Sequence, residues 1–332
     1  YSTSAYNGQV KFHDSFYYLK KQAFATVLGI VLMLFVAGMD YHIWQRLAIF
    51  GYLAAVALSV AVMLFGREIN GSKRWLALGP FSFQPSEFAK VALILFLADL
   101  VTKNVKTIGK MWTLCRIMFW ILPIVGLVGA SNLSTAIIIL GIGVILIFVA
   151  SPKYAQFALM GLAGACFMGL FLALESYRLE RLAIWRNPEK YEKGYQTLQG
   201  LYAIGSGGVF GVGLGNSVQK LGFVPEAQND MIFSIICEEL GLAGAGIIVF
   251  LFLLLIWRFF MIASGSRDLF GALIATGAMA HMMIQVILNI AVVTNTIPNT
   301  GITLPFISYG GTSVMFLLIE MGLVLSVSQV VD

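Results

Sequence analysis

The chain has 332 residues, of which 59% are hydrophobic and only 11% charged, with a formal net charge of +5. Soluble domains carry about 25% charged residues, so water is excluded as the main solvent of this fold. A nucleic-acid partner is excluded too: the basic balance comes with no aromatic–basic module and no soluble domain to carry one.

After a polar opening, YSTSAYNGQVKFHDSFYYLKKQ (1–22), long apolar runs recur along the chain, among them Ala23–Met39, Thr135–Ala150 and Leu242–Trp257. Each approaches the roughly 20 residues that cross a bilayer as a helix. The runs are continuous rather than alternating, which points to helices and not to a membrane barrel. The expected fold is therefore all-α, a polytopic integral membrane helical bundle forming a single domain over 1–332. Its nine spans are expected at 22–39, 47–65, 85–102, 114–130, 135–150, 155–175, 231–257, 269–293 and 311–330. Connections are short except 66–84 and 176–230. Cys115, Cys166 and Cys237 all fall within spans, and His13, His42 and His281 are scattered. Neither a disulfide framework nor a zinc site is expected. The chain starts at Tyr1 without methionine or signal peptide, so a preceding segment is expected.

Strict alternation of nine spans puts 1–21, 66–84, 131–134, 176–230 and 294–310 on one side. The opposite side holds Arg46, Lys103, Lys106, Lys110, Arg116, Lys153, Arg258 and Arg267 in short loops, which favours it as cytoplasmic. The long loops on the first side carry even more cations, among them Lys73, Arg74, Arg178, Arg181, Arg186, Lys190, Lys193 and Lys220. Long loops tolerate charge on either side, but an outer basic cluster beside a bilayer also suits an anion such as a lipid pyrophosphate.

Charged residues inside spans cost about 2.5–3.5 kcal/mol each on insertion scales and ask for a reason. In QPSEFAK (84–90), a proline opens the helix, and Glu87 and Lys90 stand three apart on one face, able to pair. The pair either neutralises itself or walls a polar cavity. Just before it, GSKRW (71–75) delivers two cations. Further along, His281, Gln285 and Asn289 recur every four residues as one polar stripe, of the kind that knits helices together. Glu238, Glu239, Glu320 and Asp99 are further carboxylates within spans.

The loop 176–230 is the most informative stretch. It turns at Asn187–Pro188, becomes apolar over Leu198–Ile204, and runs through GSGGVFGVGLGN (205–216). No strand precedes that glycine run and no Walker lysine follows, so a nucleotide loop is not indicated. Flexible backbone allowing close approach is the simpler expectation. The loop ends at Asp230, directly before a span. By spacing alone Asp230 is either a helix-capping acid or a carboxylate at a membrane mouth, suited to deprotonating an attacking hydroxyl.

At these residues the chain resembles the SEDS family (shape, elongation, division and sporulation proteins), the peptidoglycan polymerases that include FtsW, RodA and SpoVE. The matching runs are GSKRWLALGPFSFQPSEFAK (71–90), GYQTLQGLYAIGSGGVFGVGLGNSVQKLGFVPEAQNDMIFSIICEELG (194–241) and GITLPFISYGG (301–311), in order and over essentially the whole chain. The GITLPFISYGG form is nearer the division and sporulation branch. The resemblance implies ten helices, the first missing here, with 176–230 as one large extracytoplasmic loop in the bacterial cytoplasmic membrane. It implies transfer of the growing glycan from undecaprenyl pyrophosphate to the 4-hydroxyl of lipid II. Asp230 matches the family's essential loop carboxylate, and Glu87 with Lys90 matches its cavity pair. Lys73, Arg74, Lys220, Glu226, Gln196 and Asn216 are the substrate-binding candidates. A class B penicillin-binding protein transpeptidase is the implied partner, alongside other divisome or elongasome proteins. A divalent cation (Mg or Mn) fits the chemistry, its ligands unreadable here; no organic cofactor is expected. Two departures stand out. Ser131-Asn132-Leu133-Ser134-Thr135 replaces a Pro-Asp-x-Gly-Thr run, so Asn132 has no charged role, and TNTIPN (294–299) replaces a Gly-Leu-Leu-Pro version.

A lipid II flippase is the rival reading, since buried charges and a polar cavity suit transport as well. Against it, Asp230 lies at a mouth and not the midplane, and no internal repeat is evident. A scaffold that only recruits a transpeptidase is the third.

Overall fold

The computed structural model describes residues 1–69, 72–78, 81–153, 155–158, 161 and 182–331. Most of the expected span 155–175, Cys166, and the loop's opening with Arg178 and Arg181 lie outside the described residues.

Ten α-helices of eight residues or more are formed among the described residues: α1 Ala5–Phe12, α2 Tyr17–Ala37, α3 His42–Phe65, α4 Pro85–Asn104, α5 Met111–Ser131, α6 Leu133–Ala150, α7 Tyr195–Gly207, α8 Ile232–Gly265, α9 Leu269–Val293 and α10 Gly311–Ser328. Seven of them (α2, α3, α5, α6, α8, α9 and α10) are long and apolar enough to cross a membrane. This is the hydrophobic-run pattern of the sequence, with ends shifted by a few residues. α4 falls outside the seven because Glu87, Lys90, Asp99 and Lys103 sit within its length.

The expectation of an all-α fold needs one correction. The connection after α3 forms a small antiparallel sheet of β1 Arg67–Ile69, β2 Ser72–Leu78 and β3 Phe81–Phe83, in the order β1-β2-β3. Glu68 is registered against Lys73, and Leu76 against Phe83. This connection is too short for another span, and strand pairing satisfies backbone groups that a bare loop beside a bilayer would leave open.

The chain divides into two compact units, one of 1–23, 155–254 and 285–310, the other of 24–154, 255–284 and 311–332. In the second, α3 buries Ala48, Tyr52, Ala55, Ser59 and Val62, a three-and-four spacing that defines one face. That face packs on α4, where Tyr52 stacks on Phe96 with ring centroids 4.4 Å apart. α4 is buried on nearly every side from Glu87 to Val101, so its charged residues have to be paired within the protein.

In the first unit, α7 buries Thr197, Gly200, Ala203 and Gly207, a small-residue face that lets helices approach closely. It meets α8 so tightly that a Cβ on Gly207 would lie 1.9 Å from the Cys237 carbonyl oxygen. α8 is itself interrupted at Gly241, with φ 68° and ψ −170°. The glycine run repairs the interruption. Val212 and Gly213 donate backbone N–H bonds to the Glu238 and Glu239 carbonyls at 2.9 and 3.0 Å, while Leu242 and Ala243 donate to the Gly208 and Val209 carbonyls at 3.0 Å each. Close approach is therefore what these glycines provide: a Cβ on Gly211 would lie 2.2 Å from the Glu239 carbonyl oxygen. The sequence predicts close approach together with flexible backbone; the structure shows the approach, secured by these four hydrogen bonds to α8.

Two alanine substitutions in α7 should separate these roles. Gly207→Ala forces a backbone shift, and overpacking of this kind costs about 1–3 kcal/mol, read as a lower thermal midpoint in detergent. Gly205→Ala meets no atom within 4 Å and should hold or slightly raise the midpoint, since alanine favours a helix over glycine by roughly 0.5–1 kcal/mol.

Candidate functional site

The loop's last residues are held between α7 and α8. Gln196, in the first turn of α7, directs its Nε2 to Asp230 Oδ1 at 3.3 Å and Oδ2 at 3.5 Å, and to the Pro225 carbonyl at 3.3 Å. The close seating of α7 on α8 thus places an amide against the carboxylate that precedes α8. Asp230 is buried, 9% exposed. Burial pushes its carboxyl up from the ordinary 3.8 to about 7; the Glu226 charge adds to the rise, and the Gln196 amide and the Asp230 and Met231 backbone N–H groups oppose it. The carboxylate does accept local backbone bonds, as a capping acid would. What a cap does not need is this burial, with no cation among the described residues counted in the shift.

Glu226 takes a left-handed backbone, φ 54°. Its carboxylate accepts a hydrogen bond from Asn229 Nδ2 and stands 3.9 Å from Lys11 Nζ. Asn216 is exposed and returns its Nδ2 to the Val212 carbonyl at 3.2 Å, closing the turn beyond the glycine run.

Lys220 has a different setting from the one its charge suggested. It is 6% exposed, and Nζ donates to Glu239 Oε1 at 2.6 Å, to the Gly215 carbonyl at 2.6 Å and to Ser2 Oγ at 2.7 Å. An ammonium has three donors, and all three are spent on protein. Glu238, next along α8, accepts from Ser217 Oγ at 2.5 Å and from the Val218 amide at 3.1 Å. Both in-span glutamates therefore anchor the loop 215–220.

Three successive carbonyls ahead of α8 are also tied. The Tyr309 amide donates to Gln228 O at 2.8 Å, Ser308 Oγ to Asn229 O at 2.6 Å, and Asn289 Nδ2 to Asp230 O at 2.9 Å. Asn289 had signalled itself only as the end of the polar stripe on α9, while Ser308 and Tyr309 had no signal beyond lying in GITLPFISYGG. The stripe does knit: Gln285 donates to the Thr303 carbonyl at 3.1 Å and Asn289 to the Ile302 carbonyl at 2.7 Å.

In the second unit, Lys90 Nζ lies 3.1 Å from Glu87 Oε1, both side chains buried, so the i, i+3 spacing delivers the pair it promised. His281 Nδ1 lies 2.7 Å from Glu320 Oε2, also buried. Asp99, another carboxylate of α4, pairs with Lys103 at 2.6 Å and Gln45 at 3.0 Å. Lys73 is exposed on β2. Arg74 donates Nε to the Ser131 carbonyl at 3.1 Å, beside a recess lined by Ser59, Ser86 and Asn132.

Among the described residues no group of three or more His, Cys, Asp or Glu side chains is placed to hold a metal ion. The side chains described do not make a metal site of their own.

Across its whole length, residues 1–332, the chain matches the family model FTSW_RODA_SPOVE, described as "Cell cycle protein". It is 40% identical to "Stage V sporulation protein E" of Bacillus subtilis over 342 residues, covering 99% of this chain and 92% of that protein. It is 34% identical to the "Probable peptidoglycan glycosyltransferase FtsW" of a Geobacter species over 340 residues, covering 99% and 91%. Among solved structures it superposes, with a TM-score of 0.83 and 30% identity over 94% of this chain and 89% of the other, on a chain from "Structural coordination of polymerization and crosslinking by a peptidoglycan synthase complex".

The raised pKa of Asp230 has a consequence for stability. The folded chain keeps a proton that the unfolded chain has released between about 4 and 7, so stability falls as pH rises through that window. Asp230→Asn cannot ionise. Its thermal midpoint in detergent should exceed the parent's at about pH 8, with the gap narrowing steadily as pH falls toward about 4; an equal gap at both ends would contradict the assigned titration.

Proposed function

This chain belongs to the SEDS (FtsW/RodA/SpoVE) family of cell cycle proteins, and from that premise we propose that it is a peptidoglycan glycosyltransferase extending glycan strands from lipid II. The observation that carries the reading is Asp230, a buried carboxylate with a pKa raised to about 7 at the junction of loop and span. A general base works best when its pKa lies near the operating pH.

In the proposed step the 4-hydroxyl of lipid II attacks C1 of the growing strand's terminal sugar. The new O4–C1 bond forms as the C1–O bond to undecaprenyl pyrophosphate breaks, and attack from the opposite face inverts C1 to give a β-1,4 linkage. The hydroxyl proton passes to Asp230, and the pyrophosphate leaves with the bonding electrons. Gln196 fixes the carboxylate's orientation and moderates its basicity, while Glu226 raises it. Lys73 and Arg74 stay, on charge alone, as candidates for holding a phosphate. Lys220 is assigned instead to loop structure, because its donors are already engaged, and Asn216 to the turn beside it. Glu87 with Lys90 is assigned a supporting role within its own buried network. A divalent cation, where the reaction uses one, belongs with the substrate's phosphate oxygens, the usual habit of Mg²⁺.

Taking α4 and 155–175 as spans alongside the seven gives the nine of the sequence reading, within one membrane domain over 1–332 of the bacterial cytoplasmic membrane. The loop 176–230 then faces outward, where lipid II is consumed. A class B penicillin-binding protein is the proposed partner in division or sporulation. The support is likeness to a chain from a complex described as coordinating polymerization and crosslinking.

The test is polymerisation of lipid II by the purified protein with its partner, transpeptidation being blocked. Asp230→Ala should lower the rate by about 10²–10⁴-fold while the complex stays intact. The parent's rate should rise with pH through about 7, and Gln196→Leu should move that limb upward by removing a donor that favours the charged form. Full polymerisation by Asp230→Ala would overturn the role of Asp230. Lipid II crossing liposomes without polymer would favour a flippase.

A further inference from the structure

The segment 301–309 lies against the residues that lead into α8, and its contacts there are unusually ordered. Three consecutive carbonyls, Gln228, Asn229 and Asp230, each accept one hydrogen bond: from the Tyr309 amide, Ser308 Oγ and Asn289 Nδ2. The donors are themselves braced. Ser308 Oγ accepts from the Leu304 amide at 2.8 Å, and the Ser308 amide donates back to Leu304 O at 3.1 Å, closing a tight turn around Pro305 and Phe306. Within that turn Phe306 holds φ 61°, a left-handed conformation that is an outlier for a bulky side chain. Strain of that kind persists only where surrounding bonds over-determine it. Asn289 is 0% exposed and splits its Nδ2 between Asp230 O and Ile302 O, so α9 holds both the loop's end and the clamping segment. Gly301, at the segment's start, has φ 69°, and the atom nearest a Cβ built there is Asp230 Oδ2, at 3.8 Å. The segment thus runs beside the carboxylate as well as behind its backbone.

We infer that Asn289 and Ser308 are positioning residues for the transfer reaction, forming with the Tyr309 amide a carbonyl clamp that fixes the backbone from which the Asp230 carboxylate projects. The inference rests on the reading of Asp230 as the base. Two bonds in the clamp come from side chains that touch no reacting atom, and both end on the backbone of the residue pair 229–230. Rotation of the Asp230 peptide would swing its carboxylate off Gln196 and away from the acceptor hydroxyl. A misplacement of about 1 Å at a catalytic group can cost roughly 10²-fold in rate.

The test uses the full chain with its partner, assayed by lipid II polymerisation. Asn289→Leu keeps the branched shape, with bulkier methyl ends, and removes both bonds; Ser308→Ala removes the hydroxyl, and Ser308→Thr returns it. The expected result is a kcat lower by about tenfold to a hundredfold for Asn289→Leu and Ser308→Ala, with KM for lipid II unchanged. The acid limb of the pH profile should be displaced from the parent's, and Ser308→Thr should recover most of the rate. Each variant is also scored for thermal midpoint and for partner binding. A rate loss that merely tracks a lower midpoint, with KM and the pH limb unmoved, would overturn the clamp as a positioning device, as would parental kcat in both variants. If Asn289→Leu does not fold, Ser308→Ala against Ser308→Thr decides alone. Failure of the underlying reading shows separately, as undiminished polymerisation by Asp230→Ala.

Discussion

A helix broken inside a membrane exposes amides and carbonyls where water cannot satisfy them, at several kcal/mol for each group left open. The course of the loop 208–220 in the first unit is arranged around such a break at Gly241 of α8. The residues that close it, Gly208 to Gly213, have to bring their backbone within bonding distance of the backbone of α8, and only glycine permits that approach at Gly211 and Gly241, where any Cβ would meet backbone atoms. Once 208–213 is fixed there, the following turn comes to lie beside Glu238 and Glu239, which bind Ser217, Val218 and Lys220. The loop's course from α7 to Asp230 is thereby set at its middle, not only at its ends.

The same low-dielectric environment sorts the ionisable groups. Lys220 with Glu239, and Glu87 with Lys90, are buried at short range from an opposite charge, the condition under which a charge can be kept in such surroundings. Asp230 is the contrast. Burial raises its pKa and the Glu226 charge adds to the rise, while the Gln196 amide and two backbone N–H groups offset only part of it. A carboxylate poised near neutrality can accept a proton, and among these carboxylates Asp230 is the one that stands at the junction of loop and span.

Much of this was legible in the sequence wherever the physics is local. Apolar runs mark the spans because crossing a bilayer needs continuous hydrophobic length, and α9 was placed at 269–293 to the residue. The Glu87–Lys90 pair followed from helical spacing alone. What stayed hidden depends on contacts between distant segments. Lys220 read as a substrate-binding candidate on its charge; its partner, Glu239, is nineteen residues away and reaches it only through the folded loop. The sheet at 67–83 was missed because three short strands leave little periodic signal. The glycine run was recognised as a place of close approach, but what it approaches, the interruption in α8, has no signature beyond one more glycine.

The polar stripe on α9 shows how a packing role and a functional one can be carried by the same bonds. Asn289 helps hold α9 to the 301–309 segment, as polar side chains between membrane helices do, and that is how its spacing is most simply read. One of the two carbonyls it holds belongs to Asp230. A side chain selected only for helix association could bond any nearby carbonyl. Here its partner is the residue whose side chain must be aimed, and Ser308 bonds the residue immediately before it. Orientation of a carboxylate on a loop needs its backbone held on more than one side, because loops alone are less precise supports than helices. Asp230 meets that need just ahead of α8: its own carbonyl is tied to Asn289 of α9, and the two carbonyls before it to Ser308 and Tyr309.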